Sequence, residues 1–206
     1  MNNDFYSKSN KMYNTKMMKE RLDFVSSHMA KQLKEYEDST KNTNLIFSDL
    51  IKAIEDIVEF LKIDFEERGI SPNQITFSTD ADKSVAILGI LWYSISFTMR
   101  ENIKPQALFR NGNPPLFCGR ILALNGDFQK AAIDITDIEY PDILTCEIAS
   151  LYIPASKNLP AIMKLKHSGN AEYNLSQEEC AKEFVLKVIE IVCGGGFYHE
   201  ENCEVQ

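Results

Sequence analysis

Cys118, His167 and an acid such as Asp127 or Asp134 are the residue types that a thiol enzyme brings together. The sulfur attacks, the imidazole takes its proton and the carboxylate orients the ring. His199 is the other candidate base. Cys118 lies within Leu116-Phe117-Cys118-Gly119-Arg120, where a small buried thiol on a strand accounts for the residue without any chemistry. Catalysis by cysteine is therefore the alternative here and not the leading expectation.

Cys193, His199 and Cys203 lie close together, and with Cys180 or His167 they would supply four ligands for a tetrahedral zinc ion. Structural zinc sites usually pair their ligands through knuckles such as C-x2-C, and none occurs in this chain. The expectation is no structural metal and no cofactor. Gly194-Gly195-Gly196 resembles a phosphate loop in composition only, because such a loop must precede a helix and these glycines follow one. No Walker, dinucleotide-binding or nucleophile-elbow pattern is present.

Carboxylates are abundant. Asp134 with Asp137 and Glu178 with Glu179 are close in sequence, but acid/base work needs the two members in different environments. Between Asp127 and Glu147 the acids Asp127, Asp134, Asp137, Glu139, Asp142 and Glu147 face Lys130 alone. A field of one sign speeds encounter with an oppositely charged partner. Asp134, Asp137, Glu139 and Asp142 are thus the candidate contact for a basic partner protein. The net charge of -8 works against nucleic acid as that partner, since phosphate-backbone affinity comes from lysine and arginine. Residues 1–41 hold eight basic and six acidic side chains, so the negative excess belongs to the rest of the chain.

The elements that must position these residues follow from periodicity. Met18, Leu22, Val25, Met29, Leu33 and Tyr36 recur at steps of three and four, predicting a helix from about residue 11 to 37. The polar run from Glu37 to Asn44 reads as a loop. A second helix then carries Phe47, Leu50, Ile51, Ile54, Val58 and Leu61 on one face and closes at Gly69, giving a helical hairpin. Asp80 is placed to cap a central buried helix covering Val85 to Met99. Tyr93, Ile95, Phe97 and Met99 also alternate with Ser94, Ser96 and Thr98, as in a strand.

From Ala107 onward, turn signals separate short apolar runs, the grammar of an antiparallel meander of about four to five strands. The strands are expected at 107–110, 116–124, 128–138, 143–153 and 161–167, with Asn125-Gly126 as a tight hairpin turn. Ser176 and Glu179 read as a capping box opening a C-terminal helix.

The expected fold is therefore α+β in one domain, with flexible termini at 1–10 and 197–206. Composition fits an ordinary globular chain, with 44% apolar and 25% charged residues. No apolar stretch reaches the roughly 20 residues of a membrane helix, and no secretory pattern opens the chain. An odd count of five cysteines points to reduced thiols and a cytoplasmic setting. The function expected is a non-enzymatic interaction protein, such as an inhibitor, immunity factor or adaptor. The alternative is an enzyme or ligand-binding protein with a pocket between sheet and central helix, using Cys118 or Tyr152. The near-heptad spacing of helix one offers self-association as a third route.

Overall fold

A computed structural model of the chain describes residues 3–104, 115–128, 146–166 and 171–194, with backbone only at 3–14 and 101. The first element is one unbroken helix, α1, from Asn3 to Glu67. At about 1.5 Å per residue it spans roughly 100 Å. Its length follows from composition, because no glycine or proline occurs before Gly69. Gly69 then takes φ +75°, its amide bonds to Glu66 O at 3.0 Å, and the Ile70 amide bonds to Phe65 O at 2.8 Å. This pair of bonds is the glycine stop expected there.

The helical hairpin is corrected by this element. Its supposed loop is helix, and three of its polar residues, Ser39, Asn42 and Thr43, are buried. They dock the helix on the ends of strands. Asn42 Nδ2 donates to Pro154 O at 2.9 Å and to Gln177 Oε1 at 2.7 Å, while Ser39 Oγ donates to Asn102 Oδ1 at 3.2 Å. Polarity here marks satisfied burial and not a turn.

After a short 3-10 turn at Pro72–Gln74 come seven strands among the described residues. They are β1 Ile75–Thr79, β2 Val85–Ile90, β3 Tyr93–Ile103, β4 Cys118–Asn125, β5 Glu147–Pro154, β6 Ala161–Leu165 and β7 Glu172–Leu175. They form one antiparallel sheet in chain order. A last helix, α2, runs from Cys180 to Cys193.

The central helix is therefore a correction too. Its residues form β2 and β3, and the period-two pattern in Tyr93 to Met99 was the true signal. The turn between them, Leu91-Trp92, contains no glycine, asparagine or proline, and Leu91 adopts φ +55° unaided. Asp80 caps the β1–β2 turn instead of a helix, accepting from the Ser84 amide at 2.6 Å and the Val85 amide at 2.9 Å.

The strand count rises from four or five to seven among the described residues. The proposed strands at 107–110 and 128–138 lie almost wholly outside the described residues. Asn125-Gly126 is not a two-residue hairpin. Asn125 still pairs with Ile95, Gly126 takes φ +130°, and β5 rejoins β4 only at Glu147. Of the capping box only the Ser176 half forms, its Oγ accepting from the Glu178 amide at 3.3 Å. Glu179 makes no side-chain cap bond, and Gln177 is committed to Ser156 O and Leu159 O.

The core lies between one sheet face and the two helices. Phe47, Leu50 and Ile54 of α1 and Phe184 and Val188 of α2 meet Leu88, Ile95, Phe97, Ile121 and Leu151 of the sheet. A smaller cluster, Val85, Leu122 and Leu124 with Ile87 and Phe128, occupies the other face. No helix among the described residues is long and apolar enough to cross a membrane.

Candidate functional site

The thiol chemistry weighed as the alternative at Cys118 does not assemble among the described residues. Cys118 is fully buried and pairs with Pro154 on β5, and burial, with the nearby Glu35 carboxylate, pushes its thiol up to about 12. Burial also pushes Cys180 to about 11 and raises Cys193. A protonated thiol is a poor nucleophile. Tyr152 pairs with Arg120, and the helix that was to roof a pocket above it is part of the sheet. His167, His199, Cys203, Asp134, Asp137, Glu139 and Asp142 lie outside the described residues. Among the described residues no group of three or more potential ligands is placed to hold a metal ion.

The Cys118 shift has a measurable result. Thiolate falls tenfold for each unit, so with the other cysteines changed to serine, Cys118 should react with an aromatic disulfide reagent at pH 8 about 1,000-fold more slowly in folded than in urea-unfolded protein. The fold favours the neutral thiol. Its contribution to stability is thus intact below the ordinary value near 9 and drains away as pH rises toward about 12. Equal rates in the two states would contradict this burial.

What the fold does present is an overhang. From Thr15 to Asp38 every residue of α1 is exposed except Gln32 and Glu35, which are partly covered. The body begins at Ser39. Asn102, near the end of β3, fixes the point of departure by donating to Tyr36 O at 2.9 Å and to Thr40 Oγ1 at 2.7 Å. Tyr36 stacks edge-on against Phe117 with centroids 5.4 Å apart, and Glu35 accepts from the Leu116 amide.

This arm is not polar all round. Leu22 is 59% exposed, Val25 49%, Met29 63% and Leu33 58%. They stand on the face that α1 uses in the body. Val25, Tyr36, Phe47 and Val58 recur every eleven residues, close to three helical turns, and Phe47 and Val58 are buried in the core. The apolar face thus continues past the end of the sheet with nothing described upon it. Burial was the one property of these residues that sequence periodicity left open, since the same stripe suits a core or an interface.

Two other surfaces compete. A groove of about 520 Å3 lies between the helices, with Phe60 at its rim among Asp49, Lys52, Asp56 and Lys182. On the face away from the helices, Arg100 and Arg120 stand directly opposite each other, and Arg120 Nε is buried with no hydrogen-bond partner among the described residues. Neither has the length or continuity of the arm. No protein-family model, curated protein or solved structure matches this chain.

Proposed function

We propose that this protein works by docking another protein, without chemistry of its own, and that the arm of α1 is the docking surface. One observation carries this reading: an apolar stripe five turns long on a helix that leaves the body with nothing upon most of it among the described residues. Isolated helices are marginal in water, since most helical stability comes from packing an apolar face. An arm of this kind gains that packing from a partner helix laid along it. The acids Asp134, Asp137, Glu139 and Asp142 are a proposed second contact, for a basic region of the partner, on the strength of their local charge excess.

The test uses position along the helix. A photoreactive phenylalanine analogue at Val25 should crosslink a partner in the native cell, whereas the same group at Ser27, on the opposite face, should not. Crosslinking from neither position, or from both equally, would remove the arm as the docking surface.

A further inference from the structure

We infer that the occupant of the arm is an acidic amphipathic helix of a different protein, laid along residues 18–33; this names a partner class for the docking role proposed above and rests on it. The apolar stripe is narrow. At about 100° per residue, Met18, Leu22, Val25, Met29 and Leu33 fall within an arc of about 80°. That is the width of a seam between two helices, less than the face a helix turns to a core or a bilayer. The body itself closes one end of the seam, since Tyr36 rests against Phe117 and Glu35 accepts from the Leu116 amide. The occupant therefore stops at the level of Leu33.

Charge names the occupant's chemistry. Residues 15–34 carry five basic side chains and two acidic ones, in a chain whose net charge is -8. Position on the helix sharpens the contrast. Lys19 and Arg21 are both exposed and stand about 80° to either side of the seam, whereas Glu20 and Asp23 lie on the far side of the helix. Charges on the flanks of a helix pair select the partner. The complementary helix thus has an apolar seam bordered on both edges by aspartate or glutamate.

A second copy of this chain does not fit that description. Laid antiparallel along the stripe, its unbroken helix would run residues 3–17 into the sheet that covers Ser39 to Ile51 on the same face. Laid parallel, it would press its own body onto the first and set Lys19 against Arg21. An anionic membrane surface fits less well than a helix, because it would engage a wider apolar face and draw in a body with 14 basic and 24 acidic side chains over residues 42–206.

Fluorescence anisotropy with the full chain tests this, using two labelled helical peptides of about twenty residues that share a leucine seam. One has glutamate along both edges of the seam and the other has lysine. The glutamate peptide should bind about tenfold more tightly at low salt, and the gap should shrink as salt rises. Lys19→Glu/Arg21→Glu should invert the preference, and Leu22→Ser/Met29→Ser should abolish binding of both peptides. All four residues are exposed and outside the core, so folding is not at stake. Equal affinity for the two peptides, or a preference that Lys19→Glu/Arg21→Glu leaves unchanged, would overturn the acidic partner. Failure to bind either peptide would overturn a helix as the occupant. Phosphatidylserine vesicles bound through the same stripe would overturn it in favour of a membrane, and a parent sedimenting at twice the 23.5 kDa chain mass, reduced to one by Leu22→Ser/Met29→Ser, in favour of a second copy. If the Val25 probe captures a protein after any of these failures, the docking role of the arm stands and only the acidic helix is lost.

Discussion

Phe184→Ala is expected to lower the unfolding free energy by about 3–5 kcal/mol, the range for removing a buried aromatic ring. Phe184 is fully buried, and its ring meets Phe97 edge-on at a centroid distance of 6.1 Å. It is the point where α2, the sheet and the core converge. Alanine would lose the transfer free energy of the ring and leave a cavity that a strand and a helix, both pinned by backbone hydrogen bonds, close only in part. Against a total of about 5–15 kcal/mol this is severe. The control is Leu22→Ser/Met29→Ser on the arm, which should shift monomer stability by no more than about 0.5 kcal/mol per site. Urea unfolding followed by circular dichroism separates the two. A loss under about 1 kcal/mol for Phe184→Ala would mean that α2 is not packed as described.

The second large effect is expected at Gly119, where α1 comes closest to the sheet. A Cβ built there would stand 1.6 Å from Thr43 Oγ1 and 2.7 Å from Thr43 Cβ. Thr43 is buried, and its hydroxyl donates to Ser39 O at 2.8 Å, so the side chain has little room to turn away. Gly119→Ala must push the helix off β4 or bend it, and overpacking of this kind costs about 1–3 kcal/mol or more. Thr43→Ala alone gives up one hydrogen bond, about 1 kcal/mol. Combined with Gly119→Ala it should recover part of the loss, because the nearest atom is gone while the Cβ remains. A double-mutant cycle reads the coupling directly. Simple additivity of the two substitutions would show that the helix does not sit on this glycine.

Gly119 illustrates where sequence reasoning stopped. The strand around it was legible, since Leu116 to Leu124 is apolar apart from Gly119 and Arg120, and so were β5, β6 and the apolar face of α2. The helical half of α1 after Asn44 was equally plain, together with its glycine stop. Two errors came from local rules that burial overrode. Ser39, Asn42 and Thr43 look like a loop because polar residues usually seek water, but here strand-end carbonyls and side chains satisfy them. Leu91-Trp92 hides a hairpin because neither residue announces a turn.

The candidate site was half visible. Periodicity delivered Met18, Leu22, Val25, Met29, Leu33 and Tyr36 as one stripe, with self-association through it as the third of three readings. Nothing in the residues themselves told that the sheet would end before reaching them. The acidic stretch from Asp134 to Asp142 was the sequence's favoured surface and lies outside the described residues. At Cys118 the favoured reading, a small buried thiol on a strand, is what the structure shows, and the histidines weighed as its base lie outside the described residues.

The order of the elements also bears on how the chain matures. Strands β1 to β7 adjoin in the order of synthesis, so each new strand emerges beside a neighbour already made. Most of its pairings are therefore local, the kind that closes at small entropic cost, and the longest step in sequence between neighbouring described strands is from Asn125 to Glu147. Helix α1 has the opposite fate. It leaves the ribosome ahead of the sheet with Phe47, Leu50 and Ile54 uncovered, and the ring of Phe184 that completes their shelter is translated after all seven described strands. A nascent chain halted before Cys180 would carry a sheet with half its roof missing and an amphipathic helix in full view, the state in which growing chains attract chaperones or one another.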